Sequence, residues 1–289
     1  MSKFCEKLKS KKFIVTAELY PPKGINTEKL LRKADIIGPL VDGINITDNQ
    51  RASMRLGSLA VCRLLKEKGY EPILQMTCRD RNRIALQSDL LSAYVLGVEN
   101  VLVLSGDHPK IGENKDAKCV FDLDPVQLLT TARTLESGVD LAGKKLSGSP
   151  RFCLGAVTNP SAEPSELQLV MLDKKQRAGA QFFQTQPIFD IRKYKDFADR
   201  AKQFPVKILP GVILLKSVDF ITAMMALPGV NIPEETVKRI ERSGNQLEEG
   251  INICAEIIQG LKTFADGVHI MAIGMEEYIP EILKRAGLS

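Results

Sequence analysis

Six polar residues end apolar runs along this chain, and their side chains are suited to acid chemistry and to binding a heterocycle. They are Glu18, Thr47, Thr77, Asp107, Asn159 and Gln186. A carboxylic acid can protonate a substrate, and amides and hydroxyls can hold the edge of a ring. The chain has only two histidines, His108 and His269, far apart in sequence. A carboxylate is therefore the expected general acid, with Glu18 and Asp107 as the leading candidates.

The apolar runs that carry these residues are rich in β-branched side chains, as expected of parallel strands buried on both faces. The eight runs are Phe13 to Leu19, Gly43 to Asp48, Pro72 to Cys78, Val101 to Asp107, Phe152 to Asn159, Phe182 to Gln186, Ile208 to Val212 and Val268 to Gly274. This rhythm predicts an α/β fold, the (β/α)8 TIM barrel. Its C-terminal face is where barrels place their chemistry, so the polar strand ends should converge on one pocket.

Between these runs, helical apolar patterns supply the crossovers that parallel strands require. Helices are predicted at 27–37, in the segments ending at Gly69 and Gly97, and at 125–136, 164–178, 191–203, 217–226, 234–242, 248–264 and 276–285. No linker-like segment divides the chain, so residues 1–289 are expected to form one catalytic domain. The polar stretch from Pro109 to Asp122 is expected to be a long loop over the C-terminal face, and is a candidate lid.

Composition argues against several classes of protein. The net charge of +5 is mild and the basic residues are scattered among carboxylates, so nucleic-acid binding is not indicated. The sequence shows neither a signal-peptide core nor an apolar run long enough to span a bilayer, and a cytoplasmic protein is expected. The six cysteines lack clustered ligand spacing, so no metal site is expected. Neither a Rossmann fingerprint nor a P-loop is present.

Eight strings at the predicted strand ends, in order along nearly the whole chain, resemble those of the methylenetetrahydrofolate reductase family. They are AELYPPKG, INITDNQ, QMTCRD, LSGDHP, GAVTNPSAEP, AGAQFFQTQPIFD, LPGVILLKS and GVHIMAIG. The resemblance implies a flavin-containing barrel that reduces 5,10-methylenetetrahydrofolate to 5-methyltetrahydrofolate. FAD is the implied cofactor.

The resemblance assigns roles at the ends of the first, fourth and sixth strands. Glu18 is implied to be the acid that opens the folate ring, and its alternative is a structural carboxylate paired with an arginine. Asp107 is implied to lie beside the flavin and the pterin, and its alternative is a turn residue between Gly106 and Pro109. Gln186 is implied to hydrogen-bond the pterin, or else to tie its strand to a loop.

For the flavin, the resemblance points to Thr47, Gln75, Gly106, Asp107, Asn159, Lys174 and Lys175. The two lysines would neutralise the diphosphate, although lysines on helices are usually only solvated. Three positions depart from the family. Relatives often carry histidine at Gln75 and tyrosine at Asn159, and some place a phenylalanine at Val218. These departures leave open how the folate or the nicotinamide stacks.

The electron donor is left open between two kinds of partner. Some family members bind NAD(P)H in the folate pocket, and others receive electrons through a partner subunit. An oligomer is expected, of a size that the sequence does not decide. Two other classes stay open as well: a non-redox pterin-binding barrel, such as a methyltransferase domain, and a catalytically inactive assembly subunit.

Overall fold

The eight apolar runs form one closed barrel of parallel strands in the computed structural model, which describes residues 1–10, 12–226, 230 and 232–288. Each strand pairs with the next, and the eighth returns to the first. The strands are β1 (Ile14–Leu19), β2 (Gly43–Ile46), β3 (Pro72–Thr77), β4 (Asn100–Leu104), β5 (Cys153–Thr158), β6 (Phe182–Pro187), β7 (Lys207–Ile213) and β8 (Gly267–Met271). The predicted (β/α)8 TIM barrel is confirmed.

Helices follow the strands and cover the outside of the barrel. They are α1 (Lys3–Leu8), α2 (Glu28–Ile37), α3 (Ser58–Glu67), α4 (Arg83–Val95), α5 (Pro125–Glu136), α6 (Ser165–Arg177), α7 (Ile191–Ala201), α8 (Val218–Met225), α9 (Glu234–Arg242), α10 (Gln246–Leu261) and α11 (Ile279–Arg285). All but the first were predicted to within a few residues. The segment 276–278, predicted as the start of α11, is instead a 3-10 turn before it. In the described part of the chain, no helix has the length and apolarity to cross a membrane.

The N-terminal helix α1 was not predicted, and it closes the bottom of the barrel. Ser2 caps it by accepting a hydrogen bond from the Cys5 amide. Its Phe4 ring packs edge-on against Phe182 of β6, with ring centroids 5.2 Å apart. At six residues the helix is too short for an apolar period to be visible in the sequence. Its burial against the strands stabilises it.

The interior of the barrel changes from apolar at the bottom to polar at the top. Along β1, the alternating residues Ile14, Thr16 and Glu18 point to one side, as the period of a strand requires. Ile14 belongs to the apolar cluster sealed by α1, whereas Thr16 contacts polar groups from other strands. Glu18 lies above them, at the C-terminal end. Each successive inward-pointing residue of β1 therefore lies one layer closer to the C-terminal face, where barrels bind substrates.

The predicted loop after β4 lies across the loops that follow β2 and β3. It begins with a 3-10 turn at Pro109–Ile111. A Cβ atom on Gly112 would come within 2.4 Å of the Ala52 carbonyl oxygen, so only glycine allows this approach. Near its other end, the Val120 amide donates to the Arg79 carbonyl at 2.8 Å. The loop therefore rests on the C-terminal face, and its role as a lid stays a prediction.

Candidate active site

Glu18 is surrounded at the end of β1 by three side chains, those of Gln75, His269 and Tyr20, and the Tyr20 hydroxyl hydrogen-bonds the Glu18 carboxylate. Gln75 of β3 donates from Nε2 to Glu18 Oε2 at 2.9 Å. The His269 Nε2 atom of β8 lies 3.8 Å from the same oxygen. The Glu18 side chain is only 12% exposed, enough to meet a ligand from above. Burial, and then the negative charge of Glu18, raises the pKa of Tyr20, whose hydroxyl therefore stays protonated at neutral pH.

Beneath Glu18, four buried polar side chains cross the barrel as one network. Asn45 of β2 and Gln184 of β6 exchange two hydrogen bonds, of 2.6 and 3.0 Å. Gln184 Nε2 also donates to Thr16 Oγ1 at 3.1 Å. Thr16 Oγ1 in turn lies 3.0 Å from His269 Nδ1 and 3.3 Å from the Val268 carbonyl oxygen. These hydrogen bonds connect four strands and hold the amide and hydroxyl groups of the network in fixed orientations.

The loop after β2 combines backbone strain with unpaired polar atoms. Asn49, Arg51 and Ala52 all adopt positive φ angles, between 45 and 53°. Among the described residues, the buried Thr47 Oγ1 and Gln50 Oε1 atoms lack a hydrogen-bond partner. Strain and orphaned polar atoms each cost free energy, and in native proteins they concentrate at ligand sites. This loop is therefore a candidate for ligand contact.

The end of β4 is tied to the loops after β2 and β3. Gly106 has φ +86°, and a Cβ there would lie 3.0 Å from Thr77 Cβ. Asp107 Oδ2 accepts a hydrogen bond from the Arg51 amide at 3.0 Å. The buried Arg79 guanidinium donates to the backbone carbonyls of Asp107 and Asn49, each at 3.1 Å. Asp107 is exposed at the rim, so its carboxylate joins two loops and still faces solvent.

Asn159 and Gln186 lie across the mouth, after β5 and on β6. Asn159 Oδ1 accepts from the Ser161 amide at 3.1 Å, which shapes the turn that leaves β5. Gln186 sits in an irregularity of β6, where the pairing with β7 shifts between Gln184 and Pro187. Its side chain is exposed there. An irregularity of this kind re-aims a side chain at the end of a strand.

The two lysines of α6 have different surroundings. Lys174 is exposed on the helix surface. Lys175 turns inward and donates to the Val157 carbonyl oxygen at 2.7 Å. Burial lowers the pKa of Lys175, against an opposing effect from the carboxylate of Asp124. Of the pair, Lys175 alone reaches the wall of the barrel, so it is the better placed to meet a ligand at the β5 end.

The structure thus brings the predicted residues Glu18 and Gln75 into direct contact, and it places Thr47, Gly106 and Asp107 in connected loops beside them. Asn159 follows β5 and Gln186 lies on β6, across the mouth of the barrel. The network of Thr16, Asn45, Gln184 and His269 was missed. The sequence signal for Thr16, Asn45 and Gln184 was a polar residue two positions before a polar strand end, as Thr16 stands before Glu18, whereas His269 precedes the apolar Met271 and had no such signal.

A family model and individual relatives of known sequence all point to the same protein family. The family model of methylenetetrahydrofolate reductase matches residues 3–287. The 5,10-methylenetetrahydrofolate reductase of Buchnera aphidicola is 23% identical over 287 residues, covering 94% of this chain and 91% of that protein. A probable methylenetetrahydrofolate reductase (NADPH) of Caenorhabditis elegans is 25% identical over 228 residues. That match covers 76% of this chain and only 33% of the nematode protein.

Solved structures agree on the fold. An uncharacterised protein from Clostridium thermocellum, described as binding two copies of 5-methyl-5,6,7,8-tetrahydrofolic acid, superposes with a TM-score of 0.72 at 17% identity. The match covers 98% of each chain. Tryptophan synthase of M. tuberculosis, at TM-score 0.53 and 12% identity, shares only the barrel. Since the family model spans nearly the whole chain, the protein belongs to the methylenetetrahydrofolate reductase family of enzymes.

Proposed function

We propose that this protein reduces 5,10-methylenetetrahydrofolate to 5-methyltetrahydrofolate with FAD as cofactor, and that Glu18 is the acid. The observation that carries the proposal is a partly buried carboxylate at a strand end, anchored through one oxygen by Gln75. Because Gln75 anchors Oε2, we assign the transferable proton to Oε1. The family match supports the reaction, and the barrel geometry supports the position of the acid.

The reaction needs a proton before it needs a hydride. Opening the five-membered ring of the substrate requires protonation of the departing nitrogen, which exposes an electrophilic carbon. Glu18 supplies that proton and becomes a carboxylate, whose charge Gln75 Nε2 stabilises across 2.9 Å. A positioned general acid accelerates such a step by about 10²–10⁴-fold. Tyr20 keeps its proton because its pKa is raised, so its hydroxyl is a polar group beside Glu18 that adds no second negative charge.

The residues at the mouth fit an FAD molecule. The orphaned Thr47 Oγ1 and Gln50 Oε1 atoms are a hydroxyl and an amide oxygen that a polar ring edge would satisfy. Gly106, which adopts a positive φ and packs against Thr77, turns the chain after β4 so that Asp107 reaches the rim of the mouth. Lys175 offers a cation near the end of β5 for a diphosphate. FAD supplies hydride chemistry when bound, and Asp107 would lie at its edge.

Gln186 and Asp107 are the proposed contacts to the pterin. Both are exposed on the C-terminal face, and together they offer an amide that donates and accepts and a carboxylate that accepts. The Clostridium thermocellum protein of the same fold binds a methylated folate, which is the product class proposed here. We propose NAD(P)H or an electron-transferring partner subunit as the donor, and an oligomeric assembly.

The test is to purify the protein, measure FAD uptake, and follow formation of 5-methyltetrahydrofolate with NADH, with NADPH and with a chemical reductant. The proposal predicts a flavoprotein that forms this product with at least the chemical reductant. A protein that binds methyltetrahydrofolate, takes up no flavin and forms no product would refute it. That outcome would favour the competing function, a non-redox pterin-binding barrel.

A further inference from the structure

The position of His269 beside Glu18 has a physical consequence for the proposed acid. The imidazole is buried at 3% exposure, so each ring nitrogen needs a partner inside the barrel. Nδ1 faces Thr16 Oγ1 at 3.0 Å, and Nε2 faces Glu18 Oε2 at 3.8 Å. The second distance exceeds a hydrogen bond, but catalytic hydrogen bonds are often long before substrate binds.

The hydroxyl of Thr16 has one proton to give and two acceptors within reach. One is His269 Nδ1 at 3.0 Å, and the other is the Val268 carbonyl oxygen at 3.3 Å. The lone pairs of Thr16 already face a donor, because Gln184 Nε2 lies 3.1 Å away. The reciprocal amide pair of Gln184 with Asn45 fixes that donor in place. Donation from Thr16 to Nδ1 would leave the imidazole proton on Nε2.

The tautomer of His269 decides whether its Nε2 atom presents a proton or a lone pair to Glu18. A proton on Nε2 is a donor aimed at Glu18 Oε2, beside the donor from Gln75. A proton on Nδ1 would instead turn the Nε2 lone pair toward an acidic oxygen, which is unfavourable once Glu18 has lost its proton. Resting on the function proposed above, we infer that Thr16 holds His269 in the Nε2–H tautomer, and that His269 is thereby a positioning residue for Glu18.

Two hydrogen-bond donors that face Oε2 determine which oxygen of Glu18 carries the transferable proton. They occupy the inner oxygen of Glu18, so the transferable proton stays on Oε1. They also favour the carboxylate that remains after the proton has passed to the substrate nitrogen. Other titratable groups near this pair are Tyr20, whose hydroxyl also hydrogen-bonds the Glu18 carboxylate and whose pKa is raised first by burial, and Glu276, which pairs with Lys33. Both groups are unchanged when His269 alone is replaced, so a His269 variant measures the effect of the imidazole separately from theirs.

A spectroscopic test needs neither flavin nor folate. With ring-labelled histidine, NMR of the ring nitrogens reports the tautomer, and a His108→Gln variant leaves His269 as the only histidine. The proposal predicts the Nε2–H tautomer in the parent and in Thr16→Ser, which keeps the hydroxyl. It predicts a mixture of tautomers in Thr16→Val. An Nδ1–H tautomer in the parent, or identical ring signals in parent and Thr16→Val, would overturn it.

A kinetic test measures the pH profile of folate reduction by the pre-reduced, FAD-loaded enzyme. His269→Phe removes the donor, so Glu18 should keep its proton to higher pH and the alkaline limb should move upward. The rate at the optimum should fall by about 10–100-fold, by analogy with the loss seen when a hydrogen-bond partner that orients a metal-bound side chain is removed. A lower rate with an unmoved limb would mean a purely structural role and would refute the inference. If the parent itself forms no product, the proposed function fails, while the NMR result still decides the tautomer.

Discussion

Replacing Glu18 with glutamine removes the transferable proton and keeps the shape. A glutamine at this position can turn its carbonyl oxygen toward Gln75, so the 2.9 Å hydrogen bond is retained. A hydrogen bond contributes about 0.5–1.5 kcal/mol net when both partners are neutral and about 1.5–3 kcal/mol when one of them is charged. The free energy of unfolding should therefore change by at most about 1 kcal/mol, which a folded barrel tolerates.

The effect on catalysis should be much larger. Loss of a positioned acid costs about 10²–10⁴-fold in rate, equivalent to about 3–5 kcal/mol in the activation barrier. Folate reduction by the Glu18→Gln variant should fall by at least this factor. Reduction of its bound flavin by the electron donor should stay close to the parent rate, because that step needs no proton from Glu18.

The assay measures the two half-reactions separately by anaerobic stopped-flow absorbance of the flavin. Glu67→Gln is the matched control, since Glu67 is an exposed helix residue paired with Arg63 and remote from the strand ends. It should behave as the parent in both half-reactions. Turnover of methylenetetrahydrofolate by Glu18→Gln at near the parent rate would refute Glu18 as the acid and make Asp107 the next candidate.

Three further predictions concern Asp107 and Lys175. Asp107→Asn should raise the flavin midpoint potential by about 20–90 mV, because a charge about 4 Å from the reduced ring would cost roughly 1–4 kcal/mol. Spectroelectrochemical titration tests this, with Asp196→Asn on the exposed surface of α7 as the control, and an unchanged potential would be the contrary result. Lys175→Met should weaken FAD binding, measured by fluorescence titration, and bring the affinity for FAD closer to the affinity for FMN. Lys174→Met should have a smaller effect on the FAD affinity and on its ratio to the FMN affinity. Equal affinities of the parent for FAD and FMN would show that neither lysine contacts the diphosphate. In the flavin-free protein, Lys175→Met should raise the free energy of unfolding at neutral pH, because burial lowers the pKa of Lys175 in the folded state and so disfavours the charged form. This gain should shrink as the pH rises through the lowered pKa of the folded state, and it should be lost above the ordinary value of 10.5, where the unfolded chain is neutral as well. A gain independent of pH in urea titrations would contradict the argument.

The barrel was predictable because its strands are buried on both faces and read as apolar runs. Strand ends were less accurate. The fourth run was predicted to extend to Asp107, yet β4 ends at Leu104, because Gly106 turns the chain with φ +86° before the aspartate. This turn packs against Thr77, the last residue of the neighbouring strand β3, and against Arg79, which follows that strand. A single-sequence pattern carries no information about that contact.

The layer beneath the candidate acid was not predictable for a different reason. Thr16 and His269 are 253 positions apart and become neighbours only when β1 pairs with β8. The sequence suggested that Glu18 needs surroundings suited to an acid, but not which side chains supply them. The positive φ angles of Asn49, Arg51 and Ala52 were equally invisible, because they lie in a loop whose Arg51 amide donates to Asp107, a residue 56 positions away in the sequence.

The most direct test of the proposed reaction is a single turnover without any physiological donor. The FAD-loaded protein is reduced chemically under anaerobic conditions and mixed with one equivalent of 5,10-methylenetetrahydrofolate. The proposed function predicts that flavin absorbance returns as 5-methyltetrahydrofolate forms in equal amount, and that Glu18→Gln shows neither change on the same timescale. Flavin that stays reduced while folate is bound and recovered unchanged would contradict it.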